Sequence, residues 1–410
     1  MQHARCDVIV IGRGVIGATA SWRAATAGLS VRCLDADPSG GASVIAAGML
    51  APVTEAEFGE RQLLRLNLRS AARWPSFAAA VQRAGGVEIG YRRCGVLSIG
   101  YEHADQDQLG RLAALQRRSG LKVEDVSAAA ARRREPMLGG RGAGGFWAPD
   151  DGQVDPRQLL VALAAAGRAG GVQLHRRHAR ELLRDDHGRV IGVVDEDGAE
   201  HLSDRVVLAA GHASGRLLAG TDIRVPTRPV KGQLIRLDGR LDGWPAEPRI
   251  VRGLVQQRPV YLVFRGHDHE RGEVIVGATS EEWPDDRRVR AGAIHALLRD
   301  ARAIMPGIDE FELVETCTAA RPGTPDNLPI VGESGVPGLL IATGHYRNGI
   351  LLSAVTADAF DDLFAGRPLD ELWQPADPAR FQDEQNGVRH ERQRDRQRRT
   401  TTVASGASDR

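Results

Sequence analysis

Cysteine is scarce in this chain: four in 410 residues, at positions 6, 33, 94 and 317. Their scatter, with no CxxC pair, argues against a zinc site or a disulfide framework and fits the reducing cytoplasm. Charge of one sign is lacking too. Lys and Arg number 54 against 53 Asp and Glu, a formal net charge of +1, so there is no broad field for nucleic acid or an anionic membrane surface, and small-molecule partners are expected. Apolar stretches such as 159–166 are too short to span a bilayer. Gln2-His3-Ala4-Arg5 runs straight into an apolar segment, which leaves no room for a cleavable signal. No solenoid-type repeat is present. With 42% hydrophobic residues the chain can bury a large core, its length favours two or three domains over one, and it reads as two domains plus a tail.

What is present starts at once. Val8-Ile9-Val10-Ile11 reads as a buried strand and ends in Gly12-Arg13-Gly14-Val15-Ile16-Gly17. Residues 15–28 carry Ala, Ile and Trp on a helical period and stop at Gly28, and Leu29 to Leu34 forms a second strand that ends at Asp35. This is the order of a dinucleotide-binding βαβ unit. Gly12 and Gly14 let backbone N–H groups approach a pyrophosphate at a helix N-terminus, and Gly17 lets helix and strand pack closely. Asp35, 23 residues after Gly12, is placed to accept hydrogen bonds from ribose hydroxyls.

Further along, helices are expected at 60–83, 107–118, 125–132, 157–169, 291–304 and 349–364, while the glycine-rich 139–145 suits neither regular element. Val206 to Ala210 reads as a buried strand ending in Gly211, a return to the nucleotide domain. Val230 to Leu237, Val260 to Phe264 and Glu273 to Ala278 are strands bounded by Gly, Pro and charged turns, as in an antiparallel second sheet. From 386 onward almost nothing can be buried, and disorder is expected; the arginines between Arg389 and Arg399 read as a solvated tail.

Four patches outside the fingerprint have a use in a flavoenzyme. The small residues from Ala42-Ser43 through Gly48-Met49-Leu50 allow backbone to lie against a flat ring, with Ser43 near a phosphate, although a tight apolar turn fits the same pattern. Arg228 to Gln233 begins a strand beside a charge and is uninformative alone. Arg321, at a strand end before a turn, suits a two-pronged grip on a carboxylate, or equally a surface ion pair. Gly344-His345-Tyr346-Arg347-Asn348-Gly349 is a second strand, glycine turn and helix start, whose N-terminus would stabilise negative charge on a reduced flavin. Two such turns at opposite ends of the chain suggest the two ends of one long cofactor.

AAGMLAP (46–52), PVKG (229–232), VGAT (276–279), RPGTPDNLPIVG (321–332) and GHYRNGILL (344–352) resemble the bacterial glycine oxidases of the thiamine pathway, within the D-amino acid oxidase group of flavoproteins, over roughly residues 5–365. The resemblance implies an α/β (α+β) fold: an FAD-binding Rossmann-like domain (1–88, 150–226 and 320–375), an antiparallel-sheet substrate domain (89–149 and 227–319) and a tail from 376. It implies noncovalent FAD, a homo-oligomer that is commonly a tetramer, and glycine and molecular oxygen as reactants, with a thiazole synthase as a further partner. By position, Arg321 matches the arginine that clamps the substrate carboxylate, Tyr261 a tyrosine that also contacts it, and Arg347 a second arginine near the site. Gly12, Gly14, Val15, Ile16, Gly17, Asp35, Ser43, Gly48, Met49, Arg180, Gly211, Asn348, Gly349, Ile350 and Leu351 match cofactor contacts, Met49 lying beside the flavin ring.

The implied reaction is hydride transfer from the substrate α-carbon to the flavin, giving an imino acid that hydrolyses to glyoxylate and ammonia, while oxygen reoxidises the flavin to yield peroxide. No histidine base is required. His345 then reads as a packed turn residue, and His267-Asp268-His269 as the cap of an exposed hairpin. The sequence departs from the family in carrying Asp, not Glu, at position 35, in Ser280, which leaves substrate size open, and in its long polar tail. Rival readings are a sarcosine oxidase or D-amino acid dehydrogenase on the same fold, with Cys317 placed for a covalent flavin link, a nicotinamide dehydrogenase using the first βαβ unit alone, and a noncatalytic flavoprotein partner of a thiazole-forming synthase.

Overall fold

Val8 and Val10 point to one side of the strand Cys6–Ile11 and Ile9 and Ile11 to the other, and all four are buried. A strand covered on both faces needs an unbroken apolar run, which is what the sequence supplies there. The computed structural model describes residues 5–37, 40–219, 221–239, 249–268, 271–282 and 286–382, without the side chains of residues 266–268 and 271. The expected cap at His267-Asp268-His269 and the arginines from Arg389 to Arg399 fall outside the described side chains.

Cys6–Ile11 is central in an eight-stranded sheet. Leu339–Thr343, Glu200–Leu208, Cys6–Ile11, Val31–Leu34 and Gln173–His175 run parallel in that order. Helices Val15–Thr26, Arg61–Gly85, Pro156–Ala169 and Gly349–Phe364 cover the face of Val8 and Val10 with Trp22, Trp74, Leu159, Ile350 and Phe360. The other face packs Ile9 and Ile11 against Val193, Leu218 and Phe381. The parallel register sets Ile11 beside Leu208 and Leu208 beside Ile341. The turns after these strands, at Gly12, Gly211 and Gly344, therefore open at one carboxyl edge.

A second eight-stranded sheet has the order Glu312–Gly323, Arg228–Asp238, Arg271–Gly277, Arg258–Asp268, Arg249–Val255, Val96–Gly100, Gly144–Ala148 and Glu124–Val126. All its pairings are antiparallel except Arg249–Val255 with Val96–Gly100. Helix Ala291–Ile304 packs Leu297, Ala301 and Ile304 on one face. The opposite face, with Tyr261, Val263, Ile275 and Cys317, packs on Ala47 and Met49 of the first domain.

Several expectations are corrected. Residues 124–126 are a strand, and the helix begins only at Ala128, where the Ser127 side chain caps the Ala130 N–H. Gly144 and Gly145 belong to a strand, because Val126 and Ser98 backbone lie where their side chains would go. The expected domain boundary at 319/320 falls inside Glu312–Gly323, which stays paired with Arg228–Asp238 to its end. The expected tail from 376 starts too early, since Ala376 and Phe381 are buried.

Candidate functional site at the sheet edge and the domain junction

The fingerprint turn is too tight for side chains. Gly12 has φ +96°, and a Cβ there would lie 2.5 Å from the Ala209 carbonyl oxygen; one on Gly17 would lie 1.9 Å from that of Gly12. Helix Val15–Thr26 begins after Gly14, which offers no capping side chain, and carries no acid in its first turn. Helix Gly349–Phe364 begins after Asn348, whose side chain makes no cap hydrogen bond, and likewise carries no acid in its first turn. Val15, Ile16, Ile350 and Leu351 share one apolar cluster, so two open helix N-termini, each a partial positive charge, meet at the carboxyl edge of the parallel sheet. Such an edge suits an elongated phosphate-bearing ligand. Ser43 Oγ accepts the Val15 N–H at 3.0 Å, and the Asp35 carboxylate accepts the Arg13 N–H at 2.5 Å, so both side chains brace the turn. Thr343 Oγ donates to the Gly211 carbonyl at 2.8 Å and ties the next strand end in place. These residues fit the diphosphate and ribose of FAD.

Gly48 and Met49 lie where the domains join. Gly48 has φ +79°, with the Val154 carbonyl 2.1 Å from where a Cβ would stand, and Met49 packs with Ala47, Tyr261 and Cys317. Arg180 stands apart. It is exposed on Ala179–Arg184 and pairs with its neighbour Glu181 at 3.0 Å, and no hydrogen bond among the described residues joins it to the glycine turn.

On the second sheet, Arg252, Tyr261, Gly277, Leu234 and Cys317 form one cross-strand row. Arg321, four residues after Cys317, projects on the same side. Two glycines seat the polar groups. A Cβ on Gly277 would lie 2.3 Å from Tyr261 Oη and one on Gly232 2.5 Å from Arg321 Nη1. Burial pushes the Tyr261 hydroxyl pKa up while Arg321 pulls it down, so the phenol stays a neutral donor. Arg321 donates to the Thr279 carbonyl at 3.2 Å and has no carboxylate partner among the described residues. Arg347 differs: it donates to Glu60 at 2.8 Å and lies over the Tyr346 ring. Burial opposes its charge, but Glu55 and Glu60 prevail and raise its pKa.

Three residues here escaped the sequence reading. Arg252 pairs with Glu55 at 3.6 Å. Asp151 is fully buried and accepts the Val53 and Thr54 N–H groups at 2.8 and 2.9 Å and the Thr54 hydroxyl at 2.7 Å, which fixes the segment carrying Glu55. Burial outweighs these bonds and pushes its pKa up to about 6. Arg252 lies on a strand whose alternation is masked because both faces carry buried apolar residues; Glu55 and Asp151 sit in irregular turns with no period to read.

His345 is buried beside Thr356 Oγ1 at 3.2 Å, and burial lowers its pKa to about 3. It stays neutral in the folded protein, so the unfolded chain takes up the first proton as pH falls below the ordinary value of 6.5. We expect His345→Gln to lose a decline in stability between pH 6.5 and about 3 in denaturant titrations. Asp151 acts oppositely, destabilising as pH rises from 3.8 to about 6, so wild type and variant must be compared directly. Identical slopes in the two proteins would contradict this account of His345. Among the described residues no group of three or more His, Cys, Asp and Glu could hold a metal ion, and no helix is long and apolar enough to cross a membrane.

A parallel sheet with two open helix N-termini, joined to an antiparallel sheet bearing Tyr261 and Arg321, is the plan of a two-domain flavin oxidoreductase. The model of the FAD dependent oxidoreductase family matches residues 7–363, and the chain belongs to that family. It is 32% identical over 368 residues to the glycine oxidase of Geobacillus kaustophilus, covering 88% of this chain and 93% of that one. The solved structure of a glycine oxidase from that species superposes with a TM-score of 0.82 at 30% identity, covering 92% and 98% of the two chains. It is also 33% identical over 377 residues to the bifunctional protein ThiO/ThiG of Synechocystis. That match covers 92% of this chain, which spans about half (54%) of the longer protein.

Proposed function

We propose that this protein is an FAD-dependent glycine oxidase, converting glycine and oxygen to glyoxylate, ammonia and hydrogen peroxide. The observation that carries the reading is Arg321: a guanidinium seated on Gly232, on the same sheet face as Tyr261, without the acidic partner that Arg252 and Arg347 each have. A substrate carboxylate supplies that partner. Arg321 and Tyr261 would then hold the amino acid by its carboxylate and fix the direction of its α-carbon, a contribution from orientation, not proton transfer. FAD, when bound, supplies the hydride acceptor. Gly12, Gly14, Gly17, Ser43, Asp35 and Asn348 to Leu351 would hold it, with Met49 against its ring.

We take the cofactor to be noncovalent. Burial and the Glu315 carboxylate push the Cys317 thiol up to about 11, which leaves little thiolate to form a flavin link. Similarity to chains that carry ThiO and ThiG together supports a role in supplying a thiazole-forming synthase. The four free thiols suit a reducing cytoplasm. Adding glycine to the FAD-loaded protein in air should produce peroxide and glyoxylate in equal amounts. A protein that retains FAD yet forms neither product from glycine would contradict the assignment.

A further inference from the structure

Four guanidinium groups belong to the region around Tyr261: Arg236 is paired with Glu273 and Glu315 of its own sheet, and two more are matched by carboxylates from the turn segment between residues 51 and 60. Glu60 holds Arg347 at 2.8 Å, and Glu55 holds Arg252 at 3.6 Å. Both acids are shielded, at 15% exposure, against 25% for Arg252 and 30% for Arg347. Glu55 is also close enough to act electrostatically on Tyr261 and Arg347. Asp151 fixes the two residues before Glu55, so the carboxylate is presented by a held backbone.

An amino acid with one carboxylate finds one unmatched guanidinium, Arg321. A second carboxylate would have to use Arg252, which stands opposite Tyr261 on the neighbouring strand. There it meets Glu55, a like charge, and a cation already neutralised. The Arg252 pair is the looser of the two, with no hydrogen bond between guanidinium and carboxylate; the exposed Glu57 acts on Arg252 only from a distance and forms no ion pair with it among the described residues, so loss of Glu55 leaves Arg252 with no carboxylate in contact. Resting on the glycine oxidase reading, we propose that Glu55 is a specificity-determining residue: by neutralising Arg252 it confines the site to amines with one carboxylate, and without it dicarboxylic amines are admitted.

The test uses the FAD-loaded full-length protein and two acids of similar size that cannot be oxidised as amines, butyrate with one carboxylate and succinate with two. Calorimetry gives their affinities for wild type, Glu55→Gln, Arg252→Gln and the double variant. Wild type should prefer butyrate. Glu55→Gln should shift the ratio toward succinate by about tenfold, the lower end of what one hydrogen bond to a charged group contributes, and the double variant should lose that gain. A ratio unmoved by Glu55→Gln, a gain that survives loss of Arg252, or no binding of either acid to any variant would each overturn the proposal. Glycine turnover measured alongside separates the two readings. Turnover with an unmoved ratio removes the role of Glu55 and leaves the oxidase; a moved ratio without turnover does the reverse.

Discussion

Arg321→Ala raises the KM for glycine at least about tenfold and up to about a hundredfold, because a hydrogen bond to a charged group contributes about 1.5–3 kcal/mol. The loss is large because Thr279 offers Arg321 a neutral carbonyl and no acid among the described residues competes for it, so the guanidinium is available to the substrate. Arg321→Lys recovers only part of the affinity, since an ammonium cannot make two parallel hydrogen bonds to a carboxylate. FAD content stays at the wild-type level in both variants, because Arg321 belongs to the second sheet and the glycine turns to the first. Steady-state kinetics against glycine, with flavin content measured on the same samples, checks both statements. An unchanged KM for Arg321→Ala would remove the residue from the site.

Gly17→Ala has the opposite signature: FAD is lost and no KM can be measured. A methyl group at this position would sit 1.9 Å from the Gly12 carbonyl oxygen, a backbone atom that cannot swing away like the end of a side chain. The helix must then back off the strand. That displaces Gly14 and Val15 from the positions that open the helix N-terminus, besides the roughly 1–3 kcal/mol that overpacking costs. Flavin absorbance of the purified variant, before and after incubation with FAD, gives the result directly. Full flavin content at wild-type affinity would show that the turn does not hold the cofactor.

These two residues lay within reach of the sequence because each is tied to a local pattern. The glycine turn follows a strand visible as the unbroken apolar run Val8-Ile9-Val10-Ile11, so spacing places Gly17 against Gly12 without tertiary information. Arg321 sits in a motif whose resemblance to the glycine oxidases supplied its role. What the sequence could not show was which arginine is free. Glu55 and Arg252 are 197 positions apart and pair only where the two domains meet, while Glu60 and Arg347, 287 apart, pair only once the distant segments of the first domain are folded together. The same holds for Asp151, whose carboxylate turns inward to satisfy backbone donors of a segment almost a hundred positions earlier.

Boundaries failed for related reasons. Ala128 to Arg134 is helical only after Ser127 caps it, and the residues just before belong to a sheet edge formed with Gly144–Ala148. Strand Arg249–Val255 carries two arginines and a glycine, a composition that hides its alternation until Ile250 and Val251 are seen buried on opposite faces. The role of Arg180 carried over from the family has no support in contacts, since its nearest polar partner is the adjacent Glu181.

The most direct test of the account is anaerobic addition of glycine to the FAD-loaded protein, followed by air, with the flavin spectrum recorded throughout. The account predicts that the oxidised flavin band bleaches on glycine and returns with oxygen, and that Arg321→Ala needs far more glycine for the same bleaching. A flavin that remains oxidised at every glycine concentration would contradict the assignment of glycine to the Arg321 and Tyr261 face.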